Sequence, residues 1–224
     1  MKIAEIFESI QGEGRFTGVP SLFIRFAGCN LRCRWGDNIC DTPYASYEPE
    51  MNRMTVDEVA ERISESKCSH VVLTGGEPSM HYDAIIQLWK RGAFGGKLVT
   101  VETNGTLKVD WPNTFYLSIS PKLKSAGNDL PLEEYATTIQ YLANHNHYQL
   151  KFVIENKTSV EEALALIEKV GFKHIEDNVY LMPEGIVAEE IDSRLKFVAD
   201  ACIKYGFNLT DRLHLRIWGN TRGT

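Results

Sequence analysis

Short apolar runs rich in Val, Ile and Phe recur along this chain, and many are followed by a segment with helical periodicity. Runs at residues 22–26, 71–73, 98–101, 115–119, 150–154, 179–182 and 213–217 read as strands. Between the first two, Thr55 and Glu58 form a capping box, and Val56, Val59, Ala60 and Ile63 follow at helical spacing. Further helices are expected at about 82–91, with Ile85, Leu88 and Trp89 inward, and around Tyr135, Ile139 and Leu142. Thr158 with Glu161 opens another, carrying Leu164 and Ile167. The last, near 188–205, shows Ile191, Leu195, Val198, Cys202 and Tyr205 as one apolar stripe.

Strands alternating with helices imply parallel pairing and right-handed crossovers. The connection from 98–101 to 115–119 is too short and turn-rich for a full helix, so the barrel or sheet is expected to be incomplete. The fold class is α/β, an incomplete (β/α) barrel in a single domain over residues 1–224.

Of five cysteines, Cys29, Cys33 and Cys40 fall within twelve residues, on a loop at about 28–45 that follows the first strong strand. In an α/β fold that edge is where ligands bind. An odd count and no secretory signal make a disulfide framework the wrong reading. Three soft thiolates without a nearby fourth Cys or His suggest a metal centre with one position open. Spacing alone leaves metal binding and unrelated free thiols equally open. Cys202 sits on the apolar stripe and reads as core. The net charge of −6 argues against nonspecific nucleic-acid binding, and no apolar run approaches a membrane span.

The segments ESIQGEG (8–14), RFAGCNLRC (25–33), CDTPYA (40–45), LTGGEP (73–78), TNG (103–105), SPK (120–122) and LMPEG (181–185) flank this loop or follow later strands. With the tail LHLRIWGNTRG (213–223), they resemble the radical S-adenosylmethionine (SAM) enzymes almost end to end. Within that superfamily the chain looks like the 7-carboxy-7-deazaguanine synthase family of queuosine (7-deazapurine) biosynthesis.

The resemblance implies a radical SAM barrel in which Cys29, Cys33 and Cys40 hold a [4Fe–4S] cluster and SAM chelates the fourth iron. It implies cleavage of SAM to a 5′-deoxyadenosyl radical, so the hard chemistry belongs to the cofactor. By the same likeness, Ile39, Asp41, Gly75, Gly76, Glu77, Ser120, Lys122, Met182, Pro183, Glu184 and Gly185 bind SAM, and Thr42 binds Mg²⁺. Ile10, Gln11, Gly12, Glu13, Arg25 and Thr74 bind the pterin substrate, with Arg25 clamping its carboxylate. The expected enzyme is a Mg²⁺-dependent lyase acting on 6-carboxy-5,6,7,8-tetrahydropterin. It is expected to be a cytoplasmic homodimer with a flavodoxin-type reductant.

One departure stands out. The superfamily spacing is C-x3-C-x2-C, whereas six residues separate Cys33 from Cys40. Ile39 stands where an aromatic residue normally approaches the adenine, and Trp35 is the substitute within the loop. Each motif also has a plainer reading: a Gly-Gly turn, a Ser-Pro-Lys turn, Thr42 as a cap of the Pro43 turn, Arg25 in a surface ion pair. The competing functions are another radical SAM enzyme, such as a glycyl-radical activase, and a zinc-stabilised binding module.

Overall fold

In the computed structural model, which describes residues 1–36, 38–144, 147–172 and 175–224, a nine-stranded sheet carries the chain. Its principal strands are β1 (Lys2–Ile10), β2 (Pro20–Phe26), β3 (His70–Gly75), β4 (Leu98–Thr103), β5 (Phe115–Ile119), β6 (Tyr148–Ile154) and β7 (Val179–Pro183). From β2 to β7 neighbours in sequence are neighbours in the sheet, and every pair is parallel. Asn208–Leu209 extends this parallel run beyond β7. At the other edge β1 pairs antiparallel with β2, and Asn52–Arg53 pairs with β1. The two edges are different strands, so the parallel array is open, as the missing helix between β4 and β5 suggested.

The helices are α1 (Val56–Glu65), α2 (Tyr82–Lys90), α3 (Leu132–Ala143), α4 (Lys157–Val170), α5 (Ala188–Tyr205) and α6 (Leu213–Trp218). The capping box opens α1: the Glu58 N–H donates to Thr55 Oγ1 at 3.2 Å and the Thr55 N–H to Glu58 Oε2 at 2.7 Å. Helix α4 starts one cap earlier than the Thr158 reading. Asn156 Oδ1 accepts from the Ser159 N–H at 3.2 Å, and Asn156 is the first residue outside the helix. One apolar cluster joins the helices to the sheet, with Phe26, Phe115 and Phe152 fully buried. Cys202 lies in it, donating to the Asn208 carbonyl at 3.4 Å.

Two sequence expectations change. Residues 213–217 form helix α6 rather than a strand: only Leu215 is buried, and Asp211 pairs with Arg216 across the turn. The sheet also gains β1, whose burial does not follow a clean period of two. Among the described residues, no helix is long and apolar enough to cross a membrane.

At the start of β3 lies a buried imidazole with a measurable consequence. His70 sits between Ser21 Oγ (2.7 Å from Nδ1) and Thr100 Oγ1 (2.8 Å from Nε2). Burial pushes it down from 6.5 to about 4, against the opposing charge of Glu102. The unfolded chain therefore binds a proton below pH 6.5 that the folded chain refuses until about pH 4. Folding carries no such penalty above pH 7, and roughly 2 kcal/mol is lost between pH 7 and pH 5. Denaturant unfolding at the two pH values should show this loss in the wild-type protein and not in His70→Gln.

Candidate active site

All strands of the parallel run end at one edge, and there a cavity of about 660 Å³ opens. Its wall is built by side chains from separate turns, so each position depends on where its strand stops. The first turn follows β2. Cys29, Cys33 and Cys40 all line the cavity. Between Cys33 and Cys40, Arg34–Trp35 and Asn38–Ile39 pair as a small antiparallel ribbon, with Arg34 opposite Ile39 and Trp35 opposite Asn38. The Cys40 N–H donates to the Cys33 carbonyl at 3.1 Å, closing its base. A ribbon of this kind absorbs the enlarged spacing and still brings the backbones of Cys33 and Cys40 together. Trp35 and Ile39 both reach the wall.

The thiols stand around the cavity, and each has a polar neighbour. The Leu31 N–H donates to Cys29 Sγ at 3.4 Å and Asn128 Nδ2 to Cys33 Sγ at 3.5 Å, while Thr42 Oγ1 lies 3.5 Å from Cys40 Sγ. Asn104 Nδ2 approaches Cys29 Sγ at 4.0 Å and ties Asn30 at 2.9 Å. Burial pushes the Cys29 and Cys33 thiols up; neighbouring thiols add to the rise, and Lys122 opposes it at Cys33. Thiolates here therefore need a cationic centre among them, which iron–sulfur ligation supplies. The donor set fits: three thiols, donors aimed at sulfur, and room in front. Among the described residues, no three His, Cys, Asp or Glu side chains gather tightly enough to hold a single ion.

The glycines after β3 permit a close crossing. Gly75 has φ +125°, and a Cβ there would lie 2.2 Å from the Phe26 carbonyl oxygen. A Cβ on Gly76 would lie 2.0 Å from the Gly28 carbonyl oxygen. The Gly76 and Glu77 N–H groups donate to the Phe26 and Gly28 carbonyls at 3.0 and 2.9 Å. The Gly-Gly turn thus seats the cysteine loop on the end of β3. Glu77 is fully buried and stands behind the wall, accepting from the Ser79 and Asn104 N–H groups and from Thr103 Oγ1.

Across the cavity, Lys122 donates to Ser120 Oγ at 2.7 Å, and both line the wall. Met182, Glu184 and Gly185 reach it from the end of β7, with Arg194 holding Glu184 at 3.2 Å. Thr42 precedes a single helical turn, Pro43–Ser46, but its hydroxyl makes no capping bond. That leaves Oγ1 turned towards Cys40 and the cavity.

The remaining wall carries charge. Arg25 Nε donates to Glu5 Oε1 at 2.7 Å with its guanidinium over the Phe7 ring, and among the described residues its two Nη groups have no hydrogen-bond partner. The ion pair and the ligand clamp are therefore compatible: one edge of the guanidinium is anchored and the other is free. Glu5 also holds Tyr44 and Arg222, the latter from the tail that lines the outer rim. Thr74 Oγ1 donates to Glu102 Oε2 at 2.8 Å and Gln11 Nε2 to Glu102 Oε1 at 3.0 Å. Glu13 is gripped by Lys151 and by Arg212, whose Nε lies 2.9 Å from Glu13 Oε1. Burial pushes the Glu13 carboxyl up, but Lys151, Arg212 and His214 outweigh it and hold the group well below the usual carboxylate range.

Of the expected ligands, Ile10, Gln11, Gly12, Glu77 and Pro183 lie outside the wall, while the others expected for cluster, SAM, Mg²⁺ and substrate line it. Polar and charged lining residues absent from the expected ligands include Glu102, Asn104, Lys151 and Arg212. A lysine within the apolar run of β6 was the available signal, since a charge on a buried strand needs a partner.

The model of the radical SAM superfamily matches residues 23–198 of the chain. A 7-carboxy-7-deazaguanine synthase of Halobacterium salinarum is 37% identical, the match covering 100% of this chain and 93% of the relative. One from Rhodopirellula baltica is 37% identical over 99% and 88%, and one from Pyrobaculum aerophilum 35% over 100% and 97%. The crystal structure of QueE from Escherichia coli superposes with a TM-score of 0.73 at 24% identity, over 95% of this chain and 94% of that one, a likeness of fold.

Proposed function

The chain belongs to the radical SAM superfamily and, within it, to the 7-carboxy-7-deazaguanine synthases, and from that membership we propose that it converts 6-carboxy-5,6,7,8-tetrahydropterin to 7-carboxy-7-deazaguanine. The reaction contracts the reduced ring with loss of ammonia, in queuosine biosynthesis, which makes the enzyme a lyase. The observation that carries the reading is one wall bearing both three thiols and a half-anchored arginine. Nothing in a zinc-stabilised module calls for the second.

Cys29, Cys33 and Cys40 would hold the cluster, with SAM against Ser120, Lys122 and the turn at Glu184 and Gly185. When bound, cluster and SAM supply the radical that abstracts hydrogen from the substrate. The chain's own residues do the positioning. Arg25 presents its two free Nη groups to the substrate carboxylate, a bidentate pairing that fixes orientation as well as affinity. Glu13, held ionised, is an acceptor for the guanidine-like edge of the pterin. Glu102 keeps Thr74 in place at the floor. Thr42, whose hydroxyl makes no capping bond and lies beside Cys40, offers it to a Mg²⁺ that keeps most of its waters and takes substrate oxygens. A flavodoxin-type one-electron donor and a homodimer complete the reading.

Metal analysis and add-back test it. Protein purified and reconstituted without oxygen should hold about four iron and four sulfide per chain. Chelation should lower turnover, Mg²⁺ should restore it, and Thr42→Ala should abolish that restoration. About one zinc and no iron would contradict the proposal.

A further inference from the structure

Arg212 is nearly buried and lies outside every motif that marks the family, yet its side chain bridges three separate turns of the cavity wall. Its Nε donates to Glu13 Oε1 at 2.9 Å, in the turn after β1. Its Nη1 donates to the Gly185 carbonyl at 2.6 Å, in the turn after β7. Its Nη2 pairs with Asp41, the residue next to Cys40. All three nitrogens are used, and by three partners that share no hydrogen bond with one another. Arg212 is itself fixed from behind. The Leu213 N–H donates to the Gly12 carbonyl at 2.9 Å, and the Thr210 N–H to the Leu181 carbonyl at 3.0 Å.

The charges explain why an arginine stands there. Glu13 and Asp41 would repel across this wall, and one planar cation between them turns repulsion into two attractions. Lys151 takes the other oxygen of Glu13, so two acids and two bases balance. Lysine at 212 would keep the charge but not a fork that reaches three acceptors at once.

We infer that Arg212 is a positioning residue that couples Glu13, the acceptor for the guanidine-like edge of the substrate, to the cluster loop at Asp41 and to the SAM turn at Gly185. The inference rests on the synthase reading for what occupies each side. Its consequence is thermodynamic. A ligand that orders Glu13 also orders Asp41 and Gly185, so pterin and SAM bind cooperatively, each tightening the other by the same factor.

The test is SAM titration onto the oxidised, reconstituted enzyme with and without the carboxytetrahydropterin. Wild-type protein should bind SAM at least about fivefold more tightly with the pterin present. In Arg212→Lys and Arg212→Gln that factor should fall to about one, with iron content unchanged and kcat lower by about a hundredfold, the cost of a small misplacement. Asp41→Asn removes one arm of the bridge from a more exposed residue, and it should weaken the coupling even if the Arg212 variants fold poorly. Coupling that is absent in the wild type, or that survives in the variants, overturns the inference. Activity lost only in proportion to iron does so as well, because Arg212 would then serve the fold alone. Absence of product from the wild-type enzyme would instead strike the synthase reading, and the binding measurement keeps the two failures apart.

Discussion

Cys33→Ala should yield a folded protein with no cluster and no turnover above background. Cys33 is the most buried of the three loop thiols and stands at the base of the ribbon, where its carbonyl receives the Cys40 N–H. Removing its sulfur leaves two thiols on the wall and no substitute. Cys68 and Cys202 are absent from the wall, and Cys202 is packed into the core from α5. The fold should tolerate the change, since alanine at this site removes one sulfur and leaves the ribbon's backbone pairing intact. Far-ultraviolet dichroism should be unchanged while the brown absorbance and bound iron disappear. Cys202→Ala is the matched control, and it should keep the cluster while losing about 1–2 kcal/mol of stability to a small cavity. A reconstituted Cys33→Ala protein that still made product would remove the cluster assignment.

The second large effect concerns shape rather than chemistry. Gly75→Ala should cost about 3 kcal/mol or more, because two penalties fall on one atom. The φ of +125° is one that L side chains rarely adopt. The added methyl would also meet the backbone of Phe26, at 2.2 Å from its oxygen and 2.4 Å from its nitrogen, and neither can swing aside. Gly18→Ala separates the two penalties: φ there is +93°, but among the described residues no atom beyond its chain neighbours lies within 4 Å of the added carbon, so only the backbone cost of about 1 kcal/mol applies. Equal denaturation midpoints for the two variants would show that the contact with Phe26 gives way. Because the same turn seats the cysteine loop against β3, Gly75→Ala should also lower iron uptake, and Gly18→Ala should not.

Much of this site was legible in the sequence because it is made of local signals. The cysteine loop, the glycines and the ends of successive strands each occupy a few consecutive residues. Strand ends of a parallel array meet at one edge, so local signals were enough to bring them together. Elements without a single clean period were harder to read. In β1, buried and half-buried residues follow one another without alternation, because the strand has a neighbour on both sides and a partly open face. Residues 213–217 alternate as a strand does, yet Asp211 and Arg216 close them into a helical turn.

The electrostatic part of the wall was invisible for a different reason. Glu13 meets Arg212 across 199 residues, and Lys151 across 138. No spacing rule reaches that far. What the sequence offered was a lysine in an apolar strand and an arginine before a run that reads as another strand, each with many plausible partners. The ribbon between Cys33 and Cys40 was unreadable too, since two-residue strands carry no pattern, although its effect on the thiols is large.

The central claim is that this wall performs one reaction on one substrate. Incubating the reconstituted protein without oxygen, with 6-carboxy-5,6,7,8-tetrahydropterin, SAM, Mg²⁺ and a one-electron reductant, and weighing the products by mass spectrometry, tests it most directly. The account predicts the mass of 7-carboxy-7-deazaguanine, with ammonia released in equal amount. Cleavage of SAM with the pterin left intact would contradict it, and would point to a different substrate in the same cavity.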